Sequence, residues 1–267
     1  MAFISVEKKS RLRDNFTMLD FYDEEGVFSP QHLFKPDSSF PETVILTWQS
    51  AFETELKRRF AVKPFSKKFC VGGTYVTVNI FEFQQRQLGF ALIPAGAPVA
   101  SMVMEEMHAV GAGSFVFIGS CGYLLEDRTD MLIVPDRALR DEGTSYHYIQ
   151  SDNEMLEIPT ASFVKKFLEE IKVPYMTGAT WTTDAIYRET PSAVGKAKEK
   201  GCICVEMECS GIMACAKAKK LKAYQILFTA DKFSSDSWNI GRLKNMGFDS
   251  YGTYLEIILE LAVKIRG

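Results

Sequence analysis

An alternation of two kinds of segment, beginning at Thr43, is the sequence feature that most constrains the fold. Short apolar segments predict strands, and between them lie segments whose apolar residues recur every three or four positions, which predicts amphipathic helices. This alternation is typical of α/β domains, in which helices cover the faces of a sheet. No linker rich in Pro, Gly or Ser divides residues 42–267, so we expect them to form a single α/β domain with a central mixed, largely parallel β-sheet.

Residues 1–41 precede the alternation and are predicted to form an N-terminal arm, because they hold Pro30, Pro36 and Pro41 and show little periodicity. The predicted strands of the domain are Thr43–Leu46, Tyr75–Phe83, Gln87–Ile93, Ser114–Gly119, Met131–Val134, Tyr175–Thr180, Cys202–Val205 and Tyr224–Thr229. The predicted helices are Ala51–Phe60, Val99–Val110, a stripe over Phe163–Ile171, one that starts at Thr190 and Pro191, one after Glu208, and Tyr251–Ile265.

Composition and charge exclude several classes of protein. With 46% hydrophobic residues the chain is not disordered, and a net charge of −3 gives no reason to expect nucleic acid or a membrane as partner. Its longest apolar runs, such as Phe115–Gly119, are far shorter than the roughly 18 residues that cross a bilayer. The N-terminus, Met1–Asp14, is charged throughout and has no signal-peptide core, so we expect a cytoplasmic protein.

The six cysteines also fit a reducing compartment. Four of them lie between residues 202 and 215, but no Cys-x-x-Cys pair occurs and the chain has only three histidines. We therefore expect buried thiols and no metal site.

Ligands of α/β folds bind at the carboxyl ends of strands, so the residues that follow each predicted strand are candidates for a site. Gly119-Ser120-Cys121-Gly122 follows one strand, and its amide and hydroxyl groups are able to cradle an anion or simply to form a tight turn. Gly96 precedes a predicted helix, where it is either an anion or sugar site or a plain connector.

Acidic residues follow two further strands. Glu206-Met207-Glu208 comes directly after Cys202–Val205; a carboxylate there is able to accept hydrogen bonds from vicinal sugar hydroxyls, and a Met packs well on a sugar face. The alternative is that these acids simply favour a helix N-terminus. Asp231 follows Tyr224–Thr229 as a candidate general acid or as an N-cap or salt-bridged residue. Two polar segments, Arg140–Tyr148 and Thr182–Thr190, are either pocket linings or solvated loops.

Taken in order, these motifs resemble the nucleoside phosphorylase family of the purine nucleoside and uridine phosphorylase type. The resemblance covers residues 43–262 and is strongest in Val205-Glu206-Met207-Glu208, Ile118-Gly119-Ser120-Cys121-Gly122 and Thr183-Asp184-Ala185-Ile186-Tyr187. It implies a phosphorylase/hydrolase-like fold and an enzyme of the pentosyltransferase class. It also implies an assembly of identical subunits: a dimer, trimer or hexamer.

The resemblance implies roles for individual residues. Glu208 would bind the ribose 2′- and 3′-hydroxyls, with Met207 packed on the sugar, Glu206 in support, and His32 reaching the ribose site of a neighbouring subunit. Asp231 would protonate a purine N7 so that the base leaves neutral, and nearby anions would stabilise the cationic ribosyl group.

The same resemblance implies a phosphate site and a base site. The phosphate-binding residues would be Ser120, Gly119, Gly96 and Arg140. The base-binding residues would be Ile186, Arg188, Cys121 and Gly122. No cofactor is expected, and inorganic phosphate would be the co-substrate that yields free base, preferably a purine, and ribose 1-phosphate.

The chain departs from the family pattern around phosphate. Phe117 stands where family phosphorylases carry an Arg, and the segment Trp48–Glu53 lacks the Gly and Arg of their first loop. Arg137, Arg140 and Arg188 are possible substitutes, since each supplies a guanidinium for a dianion. Two alternatives to phosphorolysis therefore remain: a nucleosidase that uses water, and a nucleoside-binding protein with a degenerate phosphate site.

Overall fold

The structure, a computed structural model, describes residues 24–71, 73–125, 131–150, 153–233, 238–239 and 248–265. Its helices are α1 (Ser50–Arg59), α2 (Ala97–Val110), α3 (Thr144–Tyr148), α4 (Ala161–Glu170), α5 (Pro191–Glu199), α6 (Cys209–Lys219) and α7 (Phe248–Lys264), with 3₁₀ turns at Pro30–His32 and Ile186–Arg188. Its strands are β1 (Thr43–Thr47), β2 (Lys63–Pro64), β3 (Phe69–Val71), β4 (Thr74–Val76), β5 (Asn79–Phe83), β6 (Arg86–Leu92), β7 (Ser114–Tyr123), β8 (Leu132–Asp141), β9 (Met155–Glu157), β10 (Tyr175–Thr183), β11 (Cys202–Glu206), β12 (Lys222–Phe233) and β13 (Trp238–Asn239).

The expected α/β architecture is confirmed. One eleven-stranded sheet runs in the order β13-β12-β8-β10-β11-β7-β1-β6-β5-β2, with β9 on β8. A further pairing of β12 with β7 closes β7, β12, β8, β10 and β11 into a ring. The pairs β1–β6, β1–β7, β8–β10, β10–β11 and β7–β12 are parallel, whereas β7–β11 and β8–β12 are antiparallel, so the sheet is mixed as predicted.

Several strands run further than the sequence predicts. The segment Gly119–Gly122, expected to be a loop, lies inside β7, and Asp231, expected to follow a strand, lies inside β12. The reason is that β7 has partners on both sides there: Gly122 pairs with Asp231 of β12 and with Val205 of β11. A strand with two partners satisfies its backbone groups only by remaining extended. By contrast, the predicted strand Tyr75–Phe83 is split into β4 and β5.

Other local predictions are confirmed. Thr190 is the N-cap of α5, its hydroxyl oxygen accepting from the Ala193 N–H, with Pro191 at the first helical position. Phe52 of α1 meets Tyr251 of α7 edge-on, with ring centroids 4.8 Å apart, which joins the first and last helices over the sheet.

Helices α2 and α6 approach each other closely. A Cβ atom added to Gly211 of α6 would lie 2.6 Å from Cβ of Ala97 in α2, so only a glycine permits this distance. The contact sits beside the first turns of both helices, and it brings the N-terminus of α6 next to the loop that precedes α2.

Of the predicted N-terminal arm, residues 1–23 lie outside the described residues, and residues 24–41 carry only the 3₁₀ turn. The arm boundary therefore stays a prediction. Cys121, Cys202, Cys204, Cys209 and Cys215 are buried, as expected. None of the helices in the described ranges is both long and apolar enough to cross a membrane.

Replacing Gly211 by Ala should separate α2 from α6 and lower the free energy of unfolding by about 1–3 kcal/mol, because the new methyl group overlaps Ala97. Gly195 of α5 is the matched control, since a Cβ there meets nothing within 4 Å. Gly195→Ala should instead raise the free energy of unfolding by roughly 0.5–1 kcal/mol through helix propensity. Urea unfolding gives the free energy of unfolding of both variants. Equal values for Gly211→Ala and Gly195→Ala would contradict the close contact between α2 and α6.

Candidate active site

A cavity of about 240 Å³ opens beside the carboxyl-terminal parts of β1, β7 and β11, where α/β folds place ligands. Of the residues predicted for the site, the cavity brings together Ser120, Cys121, Gly122, Ile186, Glu206, Met207 and Glu208. It also has lining residues to which the sequence analysis assigned no individual role: Trp48, Ala95, Glu189, Val205 and Ala230. Of these, Glu189 lies in the segment Thr182–Thr190, which was a candidate pocket lining. Ala230 lies at a register shift between β12 and β7, and such irregularities are common beside active sites.

Glu206 is a buried carboxylate that accepts four hydrogen bonds from groups of the protein interior. One of its oxygens, Oε1, accepts from the hydroxyls of Thr180 (3.2 Å) and Thr182 (2.6 Å). The other, Oε2, accepts from the backbone N–H groups of Glu208 (2.8 Å) and Cys209 (2.7 Å). Glu206 therefore ties β10 to the turn that leads from β11 into α6, and its position at the start of the helix suits a negative charge.

Glu208 is the N-cap residue of α6 and lines the cavity. Its Oε1 accepts from the Gly96 N–H at 2.6 Å and its Oε2 from the Met207 N–H at 3.3 Å. Gly96 has φ 114°, a backbone conformation that favours glycine, so the residue type at position 96 is what lets this N–H point at Glu208. Each oxygen of Glu208 has further lone pairs to offer a ligand.

A buried polar network supports the two acids from behind. The Thr182 hydroxyl oxygen accepts from the Ser210 N–H at 3.1 Å, and the Ser210 hydroxyl donates to Glu142 Oε1 at 2.8 Å. Glu142 also accepts from the Ser145 N–H, and the Ser145 hydroxyl oxygen accepts from Arg140 Nε at 2.8 Å. The predicted pocket segment at residues 140–148 thus holds the site in place from the interior.

Burial sets the protonation of the two acids. Desolvation raises the pKa of Glu206, although the hydrogen bonds from Thr182 and from the backbone N–H groups act in the opposite direction. Desolvation and then the neighbouring Glu206 charge raise the pKa of Glu208 from its ordinary 4.5 to about 8. Both carboxyl groups are buried and both have raised pKa values, a combination that is typical of functional sites.

The predicted anion cradle at Ser120 already has protein partners. The Gln49 carboxamide lies against Ser120. In the amide orientation in which the Gln49 oxygen faces the neighbouring donors, that oxygen is 2.7 Å from Ser120 Oγ and 3.1 Å from Ser120 N. The same oxygen is 3.2 Å from Trp48 Nε1. Glu53, also in the unusual first-strand segment, lies elsewhere: it pairs with Lys57 at 3.0 Å and accepts from Asn79.

The remaining predicted residues do not line the cavity. Arg140 is buried, because β8 places it in the interior rather than in a loop. Its guanidinium donates hydrogen bonds to the Ser145 hydroxyl and the Ile149 carbonyl oxygen and lies over the Tyr146 ring. Arg188 is exposed in its 3₁₀ turn. His32 lies in the exposed turn at Pro30–His32, with Nδ1 3.0 Å from Ser29 Oγ.

Three of the other candidates stand beside the cavity without being in its lining. Gly119 is covered by Trp48. Gly96 contributes through its N–H to Glu208. Asp231 pairs through its backbone with Gly122, which does line the cavity, but its side chain lies outside what the structure describes.

Comparison with known families decides the superfamily. The model of the Phosphorylase superfamily matches residues 43–245. The chain belongs to the phosphorylase superfamily. This confirms the resemblance drawn from Glu206-Met207-Glu208 and the Gly-Ser segment.

Curated relatives within the superfamily match over part of their length. A guanosine phosphorylase of Halorubrum lacusprofundi is 29% identical over 136 residues, which are 48% of this chain and 54% of that protein. An uncharacterized protein of Acanthamoeba polyphaga mimivirus is 28% identical over 142 residues, 53% of this chain and 55% of that protein. The chain therefore spans about half the length of these curated relatives.

Solved structures of both enzyme types share the superfamily fold. A uridine phosphorylase from Vibrio fischeri ES114 superposes with a TM-score of 0.68 at 19% identity, over 87% of this chain and 96% of that one. An AMP nucleosidase from Bacteroides thetaiotaomicron superposes with a TM-score of 0.64 at 18% identity, over 84% and 90%. The fold of this chain is thus shared with a nucleoside phosphorylase and with a nucleosidase.

The raised pKa of Glu208 predicts how stability depends on pH. Between pH 4.5 and about 8 the folded chain holds a proton on Glu208 that the unfolded chain releases, so the free energy of unfolding should fall as pH rises. Urea unfolding at several pH values should show this fall, and Glu208→Gln should make the slope shallower, while the raised pKa of Glu206 keeps part of it.

Two controls separate this effect from others. Burial also raises the pKa of Glu106, to about 7, so part of the slope below that pH remains in the Glu208→Gln variant. Glu157 is exposed on β9, and Glu157→Gln should keep the wild-type slope. An unchanged slope in Glu208→Gln would contradict the buried acid pair.

Proposed function

We propose that this chain is an enzyme that cleaves the N-glycosidic bond of a nucleoside. The observation that carries the proposal is the Glu208 carboxylate, which faces the cavity while two backbone N–H groups and Glu206 behind it fix its position. A carboxylate held in this way accepts hydrogen bonds from two vicinal hydroxyls, the arrangement that a ribose offers. Met207 lines the same wall and supplies an apolar surface for the sugar.

Cleavage then follows from electrostatics. As the bond from the anomeric carbon to the base breaks, positive charge develops on the ribosyl group, and the negative charge of the Glu206–Glu208 pair stabilises it. The raised pKa of Glu208 leaves the pair partly protonated at neutral pH, and the cationic ribosyl group favours its ionised form. This charge acts strongly because the site is buried and was organised before the substrate arrived. Asp231 is proposed as the acid that lets a purine leave neutral, which is supported by the position of its backbone opposite Gly122.

The base is proposed to lie against Ile186 and Glu189, which line the same cavity as Glu208 and Met207. Glu189 is half-buried, and its Oε2 is shielded from solvent. A carboxylate in such a place favours a base that presents N–H groups, as guanine and hypoxanthine do at N1, over adenine, whose N1 is an acceptor. Similarity to a guanosine phosphorylase supports the same preference.

The family resemblance implies that inorganic phosphate accepts the ribosyl group, which would make the enzyme a pentosyltransferase and give ribose 1-phosphate. Water is the alternative acceptor. Phosphate, the absence of a cofactor, an oligomeric assembly that places His32 in a neighbouring ribose site, and a cytoplasmic location all stay predictions.

Replacing Glu208 by Gln should lower kcat/KM for nucleoside cleavage roughly 100-fold, because the neutral amide neither stabilises the ribosyl cation nor accepts from both hydroxyls equally. The measurement is base release from a panel of purine and pyrimidine nucleosides. Glu157→Gln, an exposed change of the same chemistry, should retain full activity. Wild-type rates in Glu208→Gln would show that the sugar binds elsewhere.

Replacing Glu189 by Gln should shift base preference without abolishing cleavage. The amide offers a donor as well as an acceptor, so the preference for guanosine and inosine over adenosine should fall roughly tenfold. The ratio of kcat/KM values for inosine and adenosine measures it directly. If the ratio is the same in the variant and the wild type, Glu189 does not face the base.

A further inference from the structure

The indole of Trp48 occupies the space directly over the Gly-Ser segment of β7. A Cβ atom added to Gly119 would overlap the indole, whose Cζ2 is only 1.8 Å from the ideal position, so the ring lies against bare backbone. Trp48 follows β1, which pairs with β7 through Thr47 and Ile118, and this pairing holds the ring there. A ligand at Gly119 would have to displace a half-buried indole.

Gln49 takes up the donors that an anion at Ser120 would need. The hydroxyl and the N–H of Ser120 both donate to the Gln49 oxygen, and the indole N–H of Trp48 donates to the same atom. The neutral carbonyl oxygen of Gln49 thus accepts the hydrogen bonds that a bound phosphate oxygen would otherwise accept.

The charge of the cavity wall also opposes an anionic acceptor. Among its described lining residues, Glu189, Glu206 and Glu208 are acidic and none is Lys, Arg or His. Phe117, at the position of a family arginine, is fully buried. A phosphate dianion entering this wall would be repelled and would meet no guanidinium among the described lining residues, whereas an uncharged water molecule needs no such partner.

We propose that Trp48 and Gln49 form an internal plug in the acceptor subsite, and that the ribosyl group is transferred to water; this rests on the function proposed above. The C1′–N bond breaks with its electron pair on the base nitrogen, and a C1′–O bond forms to the water oxygen. Asp231 gives its proton to the departing base, one water proton restores the proton of Asp231, and the other stays on the new hydroxyl. The products are free base and ribose.

The first test is an assay of base release by the full chain in phosphate-free buffer and in buffers of increasing phosphate. The rate should be the same throughout, with ribose as the sugar product. A rate that rises and saturates with phosphate, with ribose 1-phosphate as product, would overturn the plug while supporting nucleoside cleavage. Absence of base release in every buffer would count against the proposed cleavage itself.

The second test does not depend on turnover: binding of inorganic phosphate is measured by calorimetry. The wild-type chain should show no measurable binding of phosphate. Gln49→Ala frees the Ser120 N–H and hydroxyl and should bind phosphate measurably, with an affinity roughly tenfold or more above the detection limit of the wild-type titration. Gln87 is exposed on β6, and Gln87→Ala is the matched control that should behave as wild type. Phosphate binding by the wild type, or no gain in Gln49→Ala, would overturn the plug whatever the activity assay shows.

Discussion

The site depends on one buried carboxylate, that of Glu206. Removing a charge from water is costly unless hydrogen bonds replace its hydration. Glu206 meets this condition with donors from two directions, the hydroxyls of Thr180 and Thr182 on β10 and the backbone N–H groups at the start of α6. Those bonds fix the conformation of the segment between β11 and α6, and this conformation orients Glu208 toward the cavity. The proposed ribose-binding group is thus oriented by an acid that need not touch the sugar.

The position of Glu208 also depends on how closely the backbone approaches it. The N–H of Gly96 reaches the carboxylate because position 96 adopts a positive φ. Helix α2, which starts at Ala97, lies close enough to α6 because Gly211 has no side chain. Both requirements are met by glycine alone, so the carboxylate is held by backbone geometry rather than by flexible side chains.

Local patterns explain why much of this could be predicted from sequence. Alternating periodicity depends on each segment alone and predicts the mixed sheet, and the pair Thr190-Pro191 predicts a helix N-cap. The order Glu206-Met207-Glu208 directly after a strand predicts the acidic wall. Contacts between distant segments could not be predicted. Gln49 meets Ser120 only because β1 pairs with β7, and Arg140 is buried only because β8 continues inward. The rule that ligands meet strand ends, applied to β1, would have singled out Trp48.

The central claim is that Glu208 accepts hydrogen bonds from the ribose 2′- and 3′-hydroxyls. A double-mutant cycle tests it most directly: kcat/KM is measured for a ribonucleoside and its 2′,3′-dideoxy counterpart, in the wild type and in Glu208→Gln. If Glu208 accepts from these hydroxyls, their removal should cost the wild type far more than the variant, because the variant has already lost the acceptor. An equal cost in both proteins would show that the hydroxyls and Glu208 do not interact, and would contradict the account.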